Sequence, residues 1–191
     1  ELGCDGGVSD GSGQFAVGNC PTAGTKGQVG LGPEFRGDDA VRTALNADQS
    51  STSPGVTLMA WVLPASASAG RHQAISSDNG GYDWSLLREG DTWAVYTGAG
   101  SRSTGAGVQV GYWQHVAAVF DPAAGQTRFY LNGALVTDTL DIAYSDLDGD
   151  VALGFNPGSG SQYWDGRIDE VQVYQRALPT SEIEALFSYQ A

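Results

Sequence analysis

Apolar residues fall in short β-branched and aromatic runs separated by Gly, Asp and Pro. The runs Val56–Leu63, Tyr82–Leu87, Thr92–Thr97, Trp113–Phe120 and Thr127–Asn132 are six to eight residues long and predict strands. In the first, Leu58, Ala60 and Val62 alternate with Met59, Trp61 and Leu63, so both faces are apolar. That pattern predicts a strand inside a two-layer sandwich whose outer face is also partly covered. Asn132-Gly133 predicts a hairpin, because both central residues of a type I′ turn need positive φ. The one helical spacing is Ser181–Phe187, with Ile183, Leu186 and Phe187 on one face and Ser181 and Glu184 placed for a capping box. Residues 1–32 are rich in Gly, Ser, Thr and Ala and predict a loop-rich N-terminal arm, with regular strands starting after it. With no repeat or linker, the expectation is one all-β domain over residues 1–191: a two-sheet antiparallel sandwich with one short C-terminal helix.

Composition sharpens this reading. A chain of 191 residues, 41% hydrophobic, can remove roughly 70% of its extended surface from water. Its 28 glycines are about twice the usual share, which favours turn-rich β structure and excludes a helical bundle. Nine Lys and Arg against 22 Asp and Glu give a formal charge of -13, which argues against nucleic acid or anionic membranes as partners. No apolar run approaches the ~18 residues of a membrane span, and the first residues have neither a charged nor an apolar leader region. Cys4 and Cys20 lack zinc-site spacing. A disulfide between them would close a loop of about 15 residues and contribute ~3 kcal/mol, which predicts an oxidising, extracellular setting.

Catalytic patterns are weak. Gly7-Val8-Ser9-Asp10-Gly11 spells G-x-S-x-G without the strand and helix that a nucleophile elbow needs, so it is expected to be a turn. His115 shares its strand parity with Trp113, Ala117 and Val119 and is expected to be packed, and His72 is expected at the surface. No two carboxylates share a strand face at the spacing a retaining glycosidase uses, so a non-catalytic protein is expected. Arg36-Gly37-Asp38 spells a short adhesion tripeptide but reads as a turn, and Asp146, Asp148 and Asp150 read as a solvated acidic turn lacking the Glu that completes an EF-hand. Two aspartates have core-side parity: Asp169 with Val171 and Val173, and Asp39 with Phe35 and Val41. A buried carboxylate needs a partner. If the early and last strands are neighbours, Asp39 and Asp169, with Asp10, are candidate ligands for a structural Ca²⁺. The same parity suits a salt bridge to Arg42 or Arg167, or a backbone cap.

The stretches GVTLMAWVLP, GYWQHVAAVFDPAAGQTRFYLNGALV and WDGRIDEVQVYQRALPTSEIEALF together resemble, in order and spacing, the bacterial laminin-G-like domains of the concanavalin A-like lectin/glucanase superfamily. The resemblance implies a jelly roll of two curved sheets, secreted, often one module of a larger surface protein, commonly with a structural Ca²⁺ and a glycan or protein ligand. Since sugar rings stack on aromatic side chains, Tyr82, Tyr163, Tyr96 and Trp84 are the candidate ligand-binding residues, with sheet packing the competing expectation for Trp84. The function expected is an extracellular binding or adhesion module recognising carbohydrate. The alternative is a structural or protein-interaction module of a larger secreted or cell-surface protein.

Overall fold

The computed structural model describes residues 20–47, 50–80, 83–144 and 150–191. Thirteen strands and one helix occur among them. One sheet of seven strands runs β1 (Thr22–Lys26), β2 (Leu31–Arg36), β13 (Asp165–Tyr174), β4 (Val56–Pro64), β9 (Gln114–Asp121), β10 (Gln126–Leu131) and β11 (Ala134–Leu140). The other, of six, runs β3 (Val41–Asn46), β12 (Asp150–Leu153), β5 (Arg71–Ser76), β6 (Ser85–Glu89), β7 (Thr92–Tyr96) and β8 (Ser101–Gly107). All pairings are antiparallel. This is the expected jelly-roll sandwich.

The two parities of β4 explain its position. Leu58, Ala60 and Val62 enter the inter-sheet core with Trp84, Trp93, Phe120 and Trp164, all essentially inaccessible to water. Met59 faces outward into a second cluster with Ala117, Val119, Tyr130 and Ile183, under helix α1 (Thr180–Gln190). Burying each such large side chain contributes about 1.5–3 kcal/mol, so the helix is anchored by the outer face of a strand already committed to the core. The predicted hairpin forms: Asn132 and Gly133 take φ 49° and 77° between β10 and β11. Glycine at 133 has a second cause, since a Cβ there would lie 2.6 Å from the Phe187 ring.

Two local expectations are corrected. Strands begin inside the Gly-rich arm, because β1 pairs with β2 across a turn closed by the Gly27 N–H donating to the Gly30 carbonyl (3.0 Å). Backbone pairing at a sheet edge needs no apolar pattern, so composition concealed it. Helix α1 starts at Thr180 with Pro179 as its N-cap residue and no side-chain cap bond, so no Ser181–Glu184 capping box forms. Arg176 instead ties Glu182 of the first turn (2.6 Å), and Tyr130 meets the Thr180 hydroxyl at 2.9 Å. Cys20 is exposed, and Cys4, the partner expected for it, lies outside the described residues.

Candidate functional site

The outer faces of the two sheets are covered differently. Over the six-stranded sheet, residues after β12 follow β5, with the Gly154 N–H donating to the Ala74 carbonyl and the Gln73 N–H to the Gln162 carbonyl (3.1 and 2.9 Å). The intervening excursion is pinched by the Asn156–Ser161 bridge. Asn156 then locks it to the loop after β5: its Nδ2 donates to Asp78 Oδ2 (2.7 Å) and its Oδ1 accepts from the Gly158 N–H (2.9 Å). A Cβ at Gly158 would lie 2.6 Å from the Gly80 nitrogen, so this close approach requires glycine.

Two polar clefts result, and Arg71 and Gln162 line both. The smaller, about 280 Å³, is also lined by Asp78, Tyr96, Asn156 and Ser159. The larger, about 510 Å³, adds Arg36, Ser68, His72, Tyr163 and Asp165. Gln162 holds a positive φ of 60°, a strained value for a non-glycine residue. Its Oε1 accepts from both Gln73 Nε2 (2.7 Å) and the Tyr96 hydroxyl (2.9 Å), which fixes the amide between the clefts. The Arg71 guanidinium lies 5.6 Å over the Tyr96 ring, and its Nε donates to Glu89 (3.2 Å). Burial pushes the Tyr96 phenol up, and Arg71 draws it part of the way back. Amide, hydroxyl, carboxylate and guanidinium groups thus converge on open clefts, as hydrogen-bonding recognition of a polar ligand requires.

Of the expected aromatic residues, Tyr163 lines the larger cleft, its ring stacked on Phe155 at 6.0 Å and 15°. Tyr96 reaches the smaller cleft but is 1% exposed, so it serves through its hydroxyl and its support of Arg71, correcting the expectation of an open stacking face. Trp84 is fully buried edge-on to Phe120 and is a core residue. Tyr82 lies outside the described residues. His72 is half-buried in the cleft wall, donating from Nδ1 to the Tyr163 carbonyl (2.6 Å), so it holds Tyr163 in place. His115 is packed, as expected.

Of the expected calcium ligands, the two described ones, Asp39 and Asp169, do not come together. On β13, Asp169 pairs with Trp61 and Gln172 with Met59, so the strand carries one extra residue there, with Glu170 at φ 48°. This bulge breaks the parity argument: Ile168, Val171 and Val173 face the core, and Asp169 turns to the other side. Its carboxylate caps the β1–β2 turn, accepting from the Val29 N–H at 3.0 Å, where a Cβ on Gly27 would collide with it. Asp39 accepts from the Arg36 N–H (2.8 Å) and so closes the Arg36-Gly37-Asp38 turn; burial raises its carboxyl above the usual range. Because Arg36 pairs with Asp165 and Glu34 with Arg167, Asp169 lies four residues further along the strand, roughly 13 Å away. Both aspartates are backbone caps, and the pair does not fit a shared ion. Asp10, Asp146 and Asp148 lie outside the described residues, and among the described ones no three His, Cys, Asp or Glu side chains form a metal-binding group.

Arg71, Asp78, Asn156 and Gln162 were not singled out from sequence, because the pairing of β12 with β5 is what joins residues 71–78 to residues 156–162. The signal available was the turn-forming Asn156-Pro157-Gly158, opposite another turn at Asp78-Asn79-Gly80.

A family model described as the concanavalin A-like lectin/glucanases superfamily matches residues 35–184. No curated protein sequence matches the chain. Among solved structures, domain 4 of an extracellular arabinanase from Geobacillus stearothermophilus, in complex with arabinotriose, is 19% identical; the match covers 88% of this chain and 82% of that one, with a TM-score of 0.65. The binding domain of Paraclostridial mosquitocidal protein 1 is 19% identical over 88% of this chain and 46% of that one, TM-score 0.65. Trypanosoma rangeli sialidase is 19% identical over 85% of this chain and only 28% of that one, TM-score 0.66. At such identities the shared property is the fold.

Proposed function

As the chain belongs to the concanavalin A-like lectin/glucanase superfamily, we propose that it is a non-catalytic carbohydrate-binding module acting outside the cell, with the Arg71–Gln162 clefts as its sugar site. The observation that carries this reading is the strained Gln162, whose amide is held between two open polar clefts by Gln73 and Tyr96. Residues kept in costly conformations concentrate where a ligand is met, and planar amide, carboxylate and guanidinium groups match the paired hydroxyls of a sugar. Tyr163, backed by Phe155, supplies the apolar ring face. Binding without turnover is supported by the settings of the two cleft carboxylates: Asp78 in the smaller accepts from the Gly80 N–H and Asn156 Nδ2, and Asp165 in the larger acts on the buried Arg88.

The test is a glycan array probed with the purified chain, in calcium and in EDTA. The expected result is a set of saccharide hits lost in Gln162→Ala while the fold, followed by near-UV circular dichroism, persists. A blank array in both conditions overturns the reading. Hits lost only in EDTA would show that binding requires calcium.

A second reading, docking of a protein partner, has one observation in its favour. An apolar groove of about 330 Å³ opens between the sheets along Pro33, Leu45, Val151, Leu153, Val171 and Val173. Leu45 on its rim is 54% exposed. Self-association in sedimentation equilibrium, relieved by Leu45→Ser, would support this second role.

A further inference from the structure

The two clefts differ in charge. In a chain with a formal charge of -13, the larger cleft is lined by two arginines, Arg36 and Arg71, against one carboxylate, Asp165. Asp165 in turn acts electrostatically on Arg88, which is buried against Trp164. The smaller cleft instead sets Arg71 against Asp78 among neutral donors and acceptors, so the shared arginine is balanced there and the larger cleft keeps one arginine in excess. The ion pairs of the other exposed arginines sharpen the contrast. Arg102 meets Asp141 at 2.8 Å and Arg176 meets Glu182 at 2.6 Å, each gripping both carboxylate oxygens. Among the described residues Arg36 makes a long ion-pair contact with Glu34 (3.6 Å) and acts more remotely on Asp39, and the other oxygen of Glu34 is 3.5 Å from Arg167. Its side chain is 64% exposed. Arg36 lines the larger cleft, and a guanidinium held this loosely is free to turn to a bidentate grip on an incoming carboxylate.

Resting on the carbohydrate reading above, we propose that the ligand is an acidic oligosaccharide whose hexuronate unit occupies the larger cleft, its carboxylate on Arg36 and its ring against Tyr163. The adjoining unit crosses the Arg71–Gln162 divide into the smaller cleft, where its hydroxyls meet Asn156, Asp78 and Ser159. The negative charge of the whole chain does not oppose this at contact range, since exposed charges are screened beyond about 8 Å at physiological salt.

The experiment is isothermal titration of the full chain with trigalacturonate and with its carboxyl-reduced neutral counterpart, trigalactose. The expected result is binding of the acidic trisaccharide at least about tenfold tighter than the neutral one, with that margin removed by Arg36→Ala and partly kept by Arg36→Lys, which retains the charge without the fork. Arg36 is exposed, so the variants should fold, and the thermal melt checks this. Equal binding of the two probes, or an unchanged margin in Arg36→Ala, overturns the acidic-sugar inference and leaves the glycan reading standing. Binding of neither probe, beside array hits for neutral glycans, likewise overturns this inference alone; a blank array removes both.

Discussion

The outer faces of the two sheets begin from the same geometry and end as opposites. The seven-stranded sheet is roofed by helix α1, which seals Met59, Ala117, Val119 and Tyr130 with Ile183 and leaves His115 wholly buried between Trp61 and Phe187. The six-stranded sheet is roofed by loops pinned through Asn156, Asp78 and Gln162, which leave open clefts. A helix buries an apolar stripe and satisfies its own backbone, so its roof can be dry. A loop must find partners for its polar groups, and those partners then line a site. The face that gives up apolar contact is the one equipped for recognition.

The contrast breaks most readily on the helix side. Ile183→Ala should destabilise the chain by about 2–5 kcal/mol in denaturant titration, without changing glycan affinity at temperatures where the variant is folded. A loss of affinity in folded protein would mean that the two roofs are coupled.

Acid tests the dry roof next. Burial lowers His115 from its ordinary 6.5 to about 4, and neither ring nitrogen has a hydrogen-bond partner among the described residues. The unfolded chain therefore takes up the proton first. Stability should fall as pH drops from about 6.5 towards 4, by roughly 3 kcal/mol from this group, and level off below that. His115→Phe should remove that part of the slope in urea titrations across the interval, and an unchanged slope would rule His115 out as its source. Gly133→Ala should follow at about 1–3 kcal/mol, because the new methyl meets Phe187 and the hairpin needs φ 77°. On the loop side, Gly158→Ala should cost about 1–3 kcal/mol, because the new methyl meets the backbone of Asp78, Asn79 and Gly80, and weaken sugar binding severely, since it parts the two pinned loops. A variant that binds as before would show that the loop contact does not shape the site.

The same contrast marks what the sequence revealed. The double parity of β4, the Asn132-Gly133 turn and the buried His115 follow from local rules, and so does the packing expected of Trp84. The clefts do not, because Arg71 and Gln162 are joined only by the register of β5 with the chain after β12. Nor does the true setting of Asp169, since period-two counting fails at an inserted residue. Tyr163 was legible as an aromatic in a Gly/Ser loop, but its Phe155 backing was not.

That inserted residue also bears on how the gene can vary. Because Glu170 is extra to the ladder, its loss would leave Ile168, Val171 and Val173 inward and Asp169 outward, a regular alternation. The last strand thus contains one codon whose deletion turns no side chain over, at the expense of the Gln190 to Glu170 bond (3.1 Å). Deleting the codon for Asp169 instead would draw Glu170 into its place, one methylene too long for the space that Gly27 leaves. Neighbouring single-codon deletions should therefore have unequal fates: one a tolerated length polymorphism, the other a defect in the edge hairpin.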